Sequence, residues 1–390
     1  MGLTVLEATK LETFKNFRLV AGHRGLDRII EKIGILDWEF VNKIEGQIVE
    51  SEFIKGEFVL TSLLFAKDQP ELILEATKYL EENQISGLAI KNIYYNDLPI
   101  EVMNYANKKS LPIFIFDTTV YFEDIITEVM DKIRSIDNFD LLESKIDLII
   151  KMNINKTIVR EIAFEINRNF KECFFVLYIK EKRFITEHKI ITLIENLKKN
   201  KSIDLHNSIL KYTNGILIIS TFDKIQWENF KNKVHFLLNT MAINMPEYYI
   251  GISNLHTDLS ELGTGINESI FAQRTGELSP DSFNYYNDIG VYSILMPNIN
   301  DSWIQDFYSR IIIPIKNYDE KYNTELFSTA VQYIESDGKV KETADALFLH
   351  KNTIRYRIGK IKELLNMEDY ELSFYEQLSI AIKLYKIYNI

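Results

Sequence analysis

The sequence predicts a multidomain α/β chain that ends in an all-α helix-turn-helix domain. Three observations carry that prediction. Short apolar runs alternate with helical patterns through the first third of the chain and again after Phe174. The residues beyond Asp301 read as helical throughout. Basic residues gather near the end of a chain whose formal net charge is −11. The length of 390 residues exceeds what one compact core organises, so several domains are expected.

The elements follow in order. Ile33-Gly-Ile-Leu, the run from Phe58 to Phe65, Gly87-Leu-Ala-Ile-Lys and Pro112-Ile-Phe-Ile-Phe-Asp are continuous apolar runs. Such runs suit strands covered on both faces, as in a mainly parallel sheet. Between them Glu71 to Leu80, opened by Pro70, and Pro99 to Lys109 carry helical spacing, which gives an α/β domain of βαβ units. From Phe122 to Phe170 the pattern turns helical, with a polar break at Asp137-Asn-Phe-Asp that divides two helices. This stretch is expected to be a connector between domains.

A second α/β region opens at Phe174 to Ile179. A helix over Lys189–Asn200 follows, then two apolar runs around Asn214-Gly215, a strong hairpin signal. A helix over Asp223–Asn239, a strand from Tyr248 to Ser253 and a helix Glu268–Thr275 ended by Gly276 complete it, so a mixed sheet is expected.

The most specific pattern lies between Val340 and Leu365. Val340, Ala344 and Leu347 share one face of a short helix, and Leu349 is the apolar residue of a turn. A second helix, starting at or beside His350, repeats Ile354, Ile358, Ile361 and Leu365 on its inner face. That is a helix-turn-helix pattern. With Ile354 at 0° and 100° per residue, Asn352 falls at about 160°, Tyr356 at about 200° and Lys360 at about 240°. Thr353 at about 260° and Arg355 at about 100° flank them, and Arg357 at about 300° turns towards the core. Asn352, Thr353 and Tyr356 are therefore placed to reach base edges, and Lys351, Arg355 and Lys360 to meet phosphates. Gly359 leaves the outer backbone uncovered.

Charge agrees with that placement. Residues 339–365 hold seven basic and three acidic residues, a net charge of +4, against −15 for the remainder. A basic element on an acidic body marks a nucleic-acid footprint. Other classes lose support. The single cysteine, Cys173, excludes an internal disulfide framework and a multi-cysteine zinc site. No Gly-rich phosphate loop or nucleophile elbow is present, so an enzyme acting on a nucleotide or phosphorylated metabolite is the weaker alternative, and no cofactor or metal is expected. No signal peptide or membrane span is legible, and a cytoplasmic protein is expected.

Leu347-Phe-Leu-His-Lys-Asn-Thr-Ile-Arg-Tyr-Arg-Ile resembles the helix-turn-helix signature of the PucR family of bacterial transcriptional regulators, whose typical form is L-x-V-H-R-N-T-L-R-Y-R-L. Gly25-Leu-Asp-Arg and Gly56-Glu-Phe-Val-Leu-Thr-Ser resemble the family's GLDR and GGELVLTTG stretches. Ile250-Gly-Ile-Ser through Ala272 looks like its degenerate GGDEF-type domain. Lys351 replaces the usual Arg, Ile354 and Ile358 replace Leu, and Gly56 stands where two glycines are common.

The resemblance implies an N-terminal sensor domain (1–134), a helical connector (135–168), a degenerate GGDEF-like domain (169–295) and a C-terminal DNA-binding domain (302–390). It also implies a homodimer on two-fold DNA sites, controlling genes for purine or related metabolites. The hairpin Tyr212-Thr-Asn-Gly-Ile-Leu-Ile has no carboxylate, and the first strand of that domain reaches Lys180 where a metal ligand would be wanted, so cyclase activity is not expected. An effector is expected at the carboxyl ends of the first domain's strands, where Thr61, Ser62, Lys91 and Asp117 are the candidates, joined by Arg24 from a loop before Gly25.

Overall fold

The computed structural model describes residues 2–36, 53–151, 154–183, 186–198, 204–223, 230–240 and 245–389, the side chain of His188 aside. The chain divides into two compact units, 1–142 and 143–390.

The first unit contains β1 (Leu3–Thr4), α1 (Val5–Ala8), β2 (Arg18–Ala21), β3 (Ile29–Ile30), β4 (Lys32–Ile35), β5 (Glu57–Thr61), α2 (Glu71–Glu82), β6 (Gly87–Lys91), α3 (Ile100–Lys109), β7 (Ile113–Phe116) and the start of α4 (Phe122–Lys151). Five strands form one sheet in the order β2-β7-β6-β5-β4. Strands β4 to β7 run parallel, and β2 pairs antiparallel with β7 at one edge. Alternation sends Val59, Leu88, Ile90, Ile113 and Ile115 into a core shared with Ile73, Ala76 and Leu80 of α2 and Val102 and Ala106 of α3. The opposite face is aromatic. Phe58, Phe114 and Phe116 meet Phe14 and Phe17, whose rings lie 4.2 Å apart, and Phe122 at the start of α4. Burial on both faces explains why these strands read as unbroken apolar runs.

Two expectations change here. The polar residues Asp137 to Asp140 do not divide the connector, because α4 is one helix of 30 residues. Phe139 is buried in it, so the motif reads as a break only in composition. The short strands β1, β2 and β3 were not expected; β1 and β3 have only two residues each, too few to read as a run.

The second unit holds the rest of α4, α5 (Lys156–Ile166), β8 (Cys173–Glu181), α6 (Glu187–Lys198), β9 (Asn207–Tyr212), β10 (Gly215–Phe222), α7 (Phe230–Thr240), β11 (Tyr248–Ile252), α8 (Leu262–Leu278), β12 (Phe283–Tyr285) and α9 (Tyr292–Leu295). Its sheet has the order β12-β11-β8-β10-β9, antiparallel except for β11 with β12. The β8-α6-β9-β10-α7-β11 succession with β8 and β10 central is a split βαβ arrangement. The hairpin loop is Thr213-Asn214, with Thr213 at φ +46°, and Gly215 already pairs with Tyr212. The turn thus lies one residue earlier than the Asn-Gly signal suggests. Helix α8 is longer than expected and Gly276 lies inside it. Gly251 lets α8 sit on β11, since a Cβ there would lie 2.0 Å from the Ser269 carbonyl oxygen. Residues 199–200 and 224–229 of the two expected helices lie outside the described residues.

Helices α10 (Ser302–Tyr322), α11 (Leu326–Glu335), α12 (Val340–Ala346), α13 (Lys351–Leu364) and α14 (Glu371–Tyr388) complete the chain. Their core joins Ile311, Ile312 and Ile315 of α10 to Ala330 and Ile334 of α11 and Ala344 of α12. Ile354, Ile358 and Ile361 of α13 and Phe374, Leu378 and Ile382 of α14 close it. A smaller cluster packs Leu384 and Ile387 of α14 against Leu295 and Met296, with Phe271 and Leu278 of α8 beside them.

Candidate nucleic-acid interface

Helix α12 ends in a reciprocal closure. The Leu349 N–H donates to the Ala344 carbonyl (2.9 Å) and the Phe348 N–H to that of Asp345 (3.4 Å). Phe348 occupies the left-handed position of this closure at φ +53°, where glycine is usual. His350 then caps α13, its Nδ1 accepting from the Asn352 N–H at 3.2 Å. The turn fixes the angle between the two helices, and Ala344, at 2% exposure, is small enough to admit the crossing.

Buried Ile354, Ile358 and Ile361 anchor the inner face of α13, which turns Lys351, Asn352, Arg355 and Tyr356 outward. Tyr356 is 71% exposed. Thr353 is half-buried on the flank. No acidic residue occupies the first turn, so the positive end of the helix dipole is uncompensated there. A Cβ on Gly359 would meet nothing within 4 Å.

The basic residues fall into two groups. Arg357 bonds inward, its guanidinium reaching the Glu325 carboxylate (3.2 Å) and the Thr329 hydroxyl (3.0 Å). Lys362 pairs with Glu371, and Lys339 with Glu342. Lys360 sits 2.8 Å from Glu363 and over the Tyr318 ring, and it is only half-exposed. The Glu363 hydrogen bond holds its ammonium above the ordinary lysine value. Lys360 can thus meet a phosphate only by giving up that pair. Among the described residues, Lys341 of α12 and Lys351 and Arg355 of α13 make no ion pair. Arg355 makes one 3.3 Å contact, to the Asn352 side chain, which orients the amide beside it.

The expected effector residues do not form one site. Thr61, Lys91 and Asp117 end or follow the parallel strands β5, β6 and β7 on one edge of the sheet. Arg24 follows β2, which runs antiparallel to β7 with Ala21 opposite Ile113, so Arg24 lies at the other edge. The carboxyl-edge groups also have local partners. Thr61 Oγ1 accepts from the Leu63 N–H, and Asp117 accepts from the Thr119 N–H at 2.8 Å. The Lys91 ammonium lies over the Tyr121 ring at 5.0 Å. Ser62 is buried. Asp117 closes a turn, and the Thr119 hydrogen bonds hold its carboxyl below the ordinary value. An open cleft of about 600 Å³ lies instead at the amino-terminal edge, and none of the five residues lines it.

In the second unit, the loop of the β9–β10 hairpin is held by Glu143 of α4, whose carboxylate accepts from the Thr213 N–H (2.8 Å) and pairs with Lys211. Lys180 pairs with Glu277 of α8 at 2.7 Å. Both features are structural ties that sequence reasoning did not find, because partners 68 and 97 residues apart carry no local signal.

An α/β unit, a mixed-sheet domain and an unobstructed recognition helix define a multidomain helix-turn-helix protein. Residues 7–133 match the purine catabolism regulatory protein-like family, PucR, and residues 326–384 match the PucR C-terminal helix-turn-helix domain. Both matches are to domains of the PucR family, at the two ends of the chain. It is 25% identical over 189 residues to the proline-responsive transcriptional activator PutR of Bacillus subtilis (strain 168), covering 45% of this chain and 46% of that one. It is 24% identical over 144 residues to the purine catabolism regulatory protein of the same organism, covering 36% and 25%. It is 22% identical over 162 residues to the DNA-binding transcriptional activator AdeR, also of that organism, covering 39% and 38%. The chain thus spans less than half the length of each of these relatives. No described helix is long and apolar enough to cross a membrane.

Proposed function

We propose that this protein is a ligand-responsive transcriptional regulator of metabolic genes that binds double-stranded DNA through α13. The observation that carries the reading is the outer face of that helix, where Asn352 and Tyr356 are exposed beside Lys351 and Arg355, cations free of carboxylate partners among the described residues. Asn352 reads a base edge, most simply an adenine, Thr353 and Tyr356 add contacts beside it, and Lys351 and Arg355 meet phosphates. Lys360 joins them once its pair with Glu363 exchanges.

The reading extends to the whole chain. Residues 1–134 act as the sensor, 135–168 as connector, 169–295 as a GGDEF-like relay and 302–390 as the DNA-binding domain. A homodimer places two recognition helices on a two-fold site. The split βαβ topology supports the GGDEF-like assignment. On this reading the relay is non-catalytic: the hairpin from Tyr212 to Ile218 has no carboxylate of its own, and Glu143 of α4 is engaged by the Thr213 N–H and Lys211. The effector is a small metabolite. Proline and purines appear in the names of relatives and define the classes to try first.

The test is DNA binding by the full chain, on sites selected from a randomised duplex pool, across a salt series. Affinity should fall steeply with salt, and Arg355→Ala should lower the slope by about 0.9. An affinity insensitive to salt would sink the reading.

A further inference from the structure

The first unit carries one feature that the carboxyl-edge expectation passed over. Its open cleft lies where the chain enters β5 and β6, lined by Asp27, Arg28, Glu31, Lys55, Glu81 and Ser86 among others. Two stretches singled out in the sequence meet there. Asp27 and Arg28 end the Gly25-Leu-Asp-Arg run, and Gly56 opens the run into β5. Gly56 has φ +81°, and a Cβ on it would lie 2.9 Å from Glu31 Cγ. The missing side chain is what lets Glu31 lie over the start of the strand.

Arg28 joins two neighbouring turns. It donates from Nη1 to the Ile85 carbonyl (2.7 Å) and from Nη2 to the Lys109 carbonyl (2.9 Å). Both acceptors are neutral, and no ion pair holds Arg28 among the described residues. Glu81 and Asp27 face its charge only at longer range, and burial pulls the guanidinium below its ordinary value. A planar guanidinium with donors to spare suits a carboxylate. Beside it Ser86 is 1% exposed, and its hydroxyl has no hydrogen-bond partner among the described residues. Of the carboxylates, Glu81 is engaged by Lys109 (3.2 Å) and the Tyr105 hydroxyl (3.3 Å). Asp27 and Glu31 are exposed and make no ion pair among the described residues.

This lining discriminates. A simple anion would face Asp27, Glu31 and Glu81, and a simple cation would face Arg28 and Lys55. We propose that the cleft binds a small zwitterionic metabolite of amino-acid size, its carboxylate on Arg28 and Ser86 and its ammonium towards Asp27 and Glu31. The proposal rests on the sensor reading of this unit and moves the site to the opposite edge of the sheet from Thr61, Lys91 and Asp117.

The experiment is calorimetric titration of the full chain with the twenty free L-amino acids, their methyl esters, their N-acetyl derivatives and guanine. A free amino acid should bind, and blocking either end should weaken it by about tenfold or more. Glu31→Gln and Ser86→Ala should each weaken it without changing salt-dependent DNA binding, whereas Lys91→Ala should leave it intact. Arg28→Lys is a third variant, and Glu31→Gln, at an exposed position, keeps the test decisive if Arg28→Lys folds poorly. Equal binding of the blocked compounds, tighter binding of guanine, or loss with Lys91→Ala but not Glu31→Gln would overturn the assignment. Absence of any binder while DNA binding persists would overturn the cleft and leave the regulator reading standing. Loss of DNA binding alone would do the reverse.

Discussion

Replacing Arg357 by Ala separates the two groups of basic residues on the recognition helix. The side chain is 19% exposed and bridges α13 to the start of α11. Its partner Glu325 is 70% exposed, so that ion pair contributes only about 0–1 kcal/mol. Thr329 is fully buried, and its hydroxyl keeps its bond to the Glu325 carbonyl at 2.8 Å when the guanidinium leaves. What is lost is one charge-assisted bond and the packed stem, together about 2 kcal/mol. That equals about thirtyfold in a local opening equilibrium. Unfolding of a multidomain chain is not two-state, so the quantity to measure is hydrogen-exchange protection of α11 and α13 in the full protein. DNA affinity should fall because the helix is less well fixed, while the salt slope stays put. A slope reduced by about 0.9 with unchanged protection would show that Arg357 meets phosphate, and would refute the division drawn above.

Asn352→Ala should cost about 1–3 kcal/mol on a selected site and little on random duplex, measured by competition binding, and equal losses on both would remove it from base readout. Phe348→Gly should raise protection of α12 by about 1 kcal/mol, because the left-handed backbone strains any residue with a Cβ and the ring is 96% exposed, with little packing to lose. His256 gives a pH prediction. Burial opposes its charge, but hydrogen bonds to Glu268 (3.0 Å) and Glu261 (3.1 Å) outweigh that and raise it above its ordinary value. Its contribution is therefore complete below about pH 6.5, the unfolded value, and is lost as pH rises through the raised folded value. Melting of the second unit followed from pH 5 to 9 should show that decline, and His256→Gln should flatten it.

Much of the fold was legible because its signals are local. Gly87-Leu-Ala-Ile-Lys reads as a strand and is one, since both of its faces are buried. Ile354, Ile358 and Ile361 read as one face and are buried together. Where the reading failed, the deciding contact was distant in sequence. The Asp137-Asn-Phe-Asp stretch looks like a break, yet Phe139 packs into a core and carries the helix through. Arg24 reads as a loop residue free to join Thr61, yet it follows the edge strand β2, whose antiparallel pairing with β7 carries it to the other end of the sheet.

The recognition helix carries the same lesson in its charges. Counting gives seven cations between Lys339 and Leu365, and helical angle offers Lys351, Arg355 and Lys360 to DNA. The structure withdraws Arg357 to α11, Lys362 to Glu371, Lys339 to Glu342 and Lys360 to Glu363. Each of these pairs neutralises a carboxylate as well as a cation. What remains is Lys351 and Arg355 beside Asn352 on α13, with Lys341 on α12, a narrow positive strip on an acidic body. Repulsion elsewhere on the surface then favours one docking orientation, and specificity falls on the few side chains that this orientation brings to the groove.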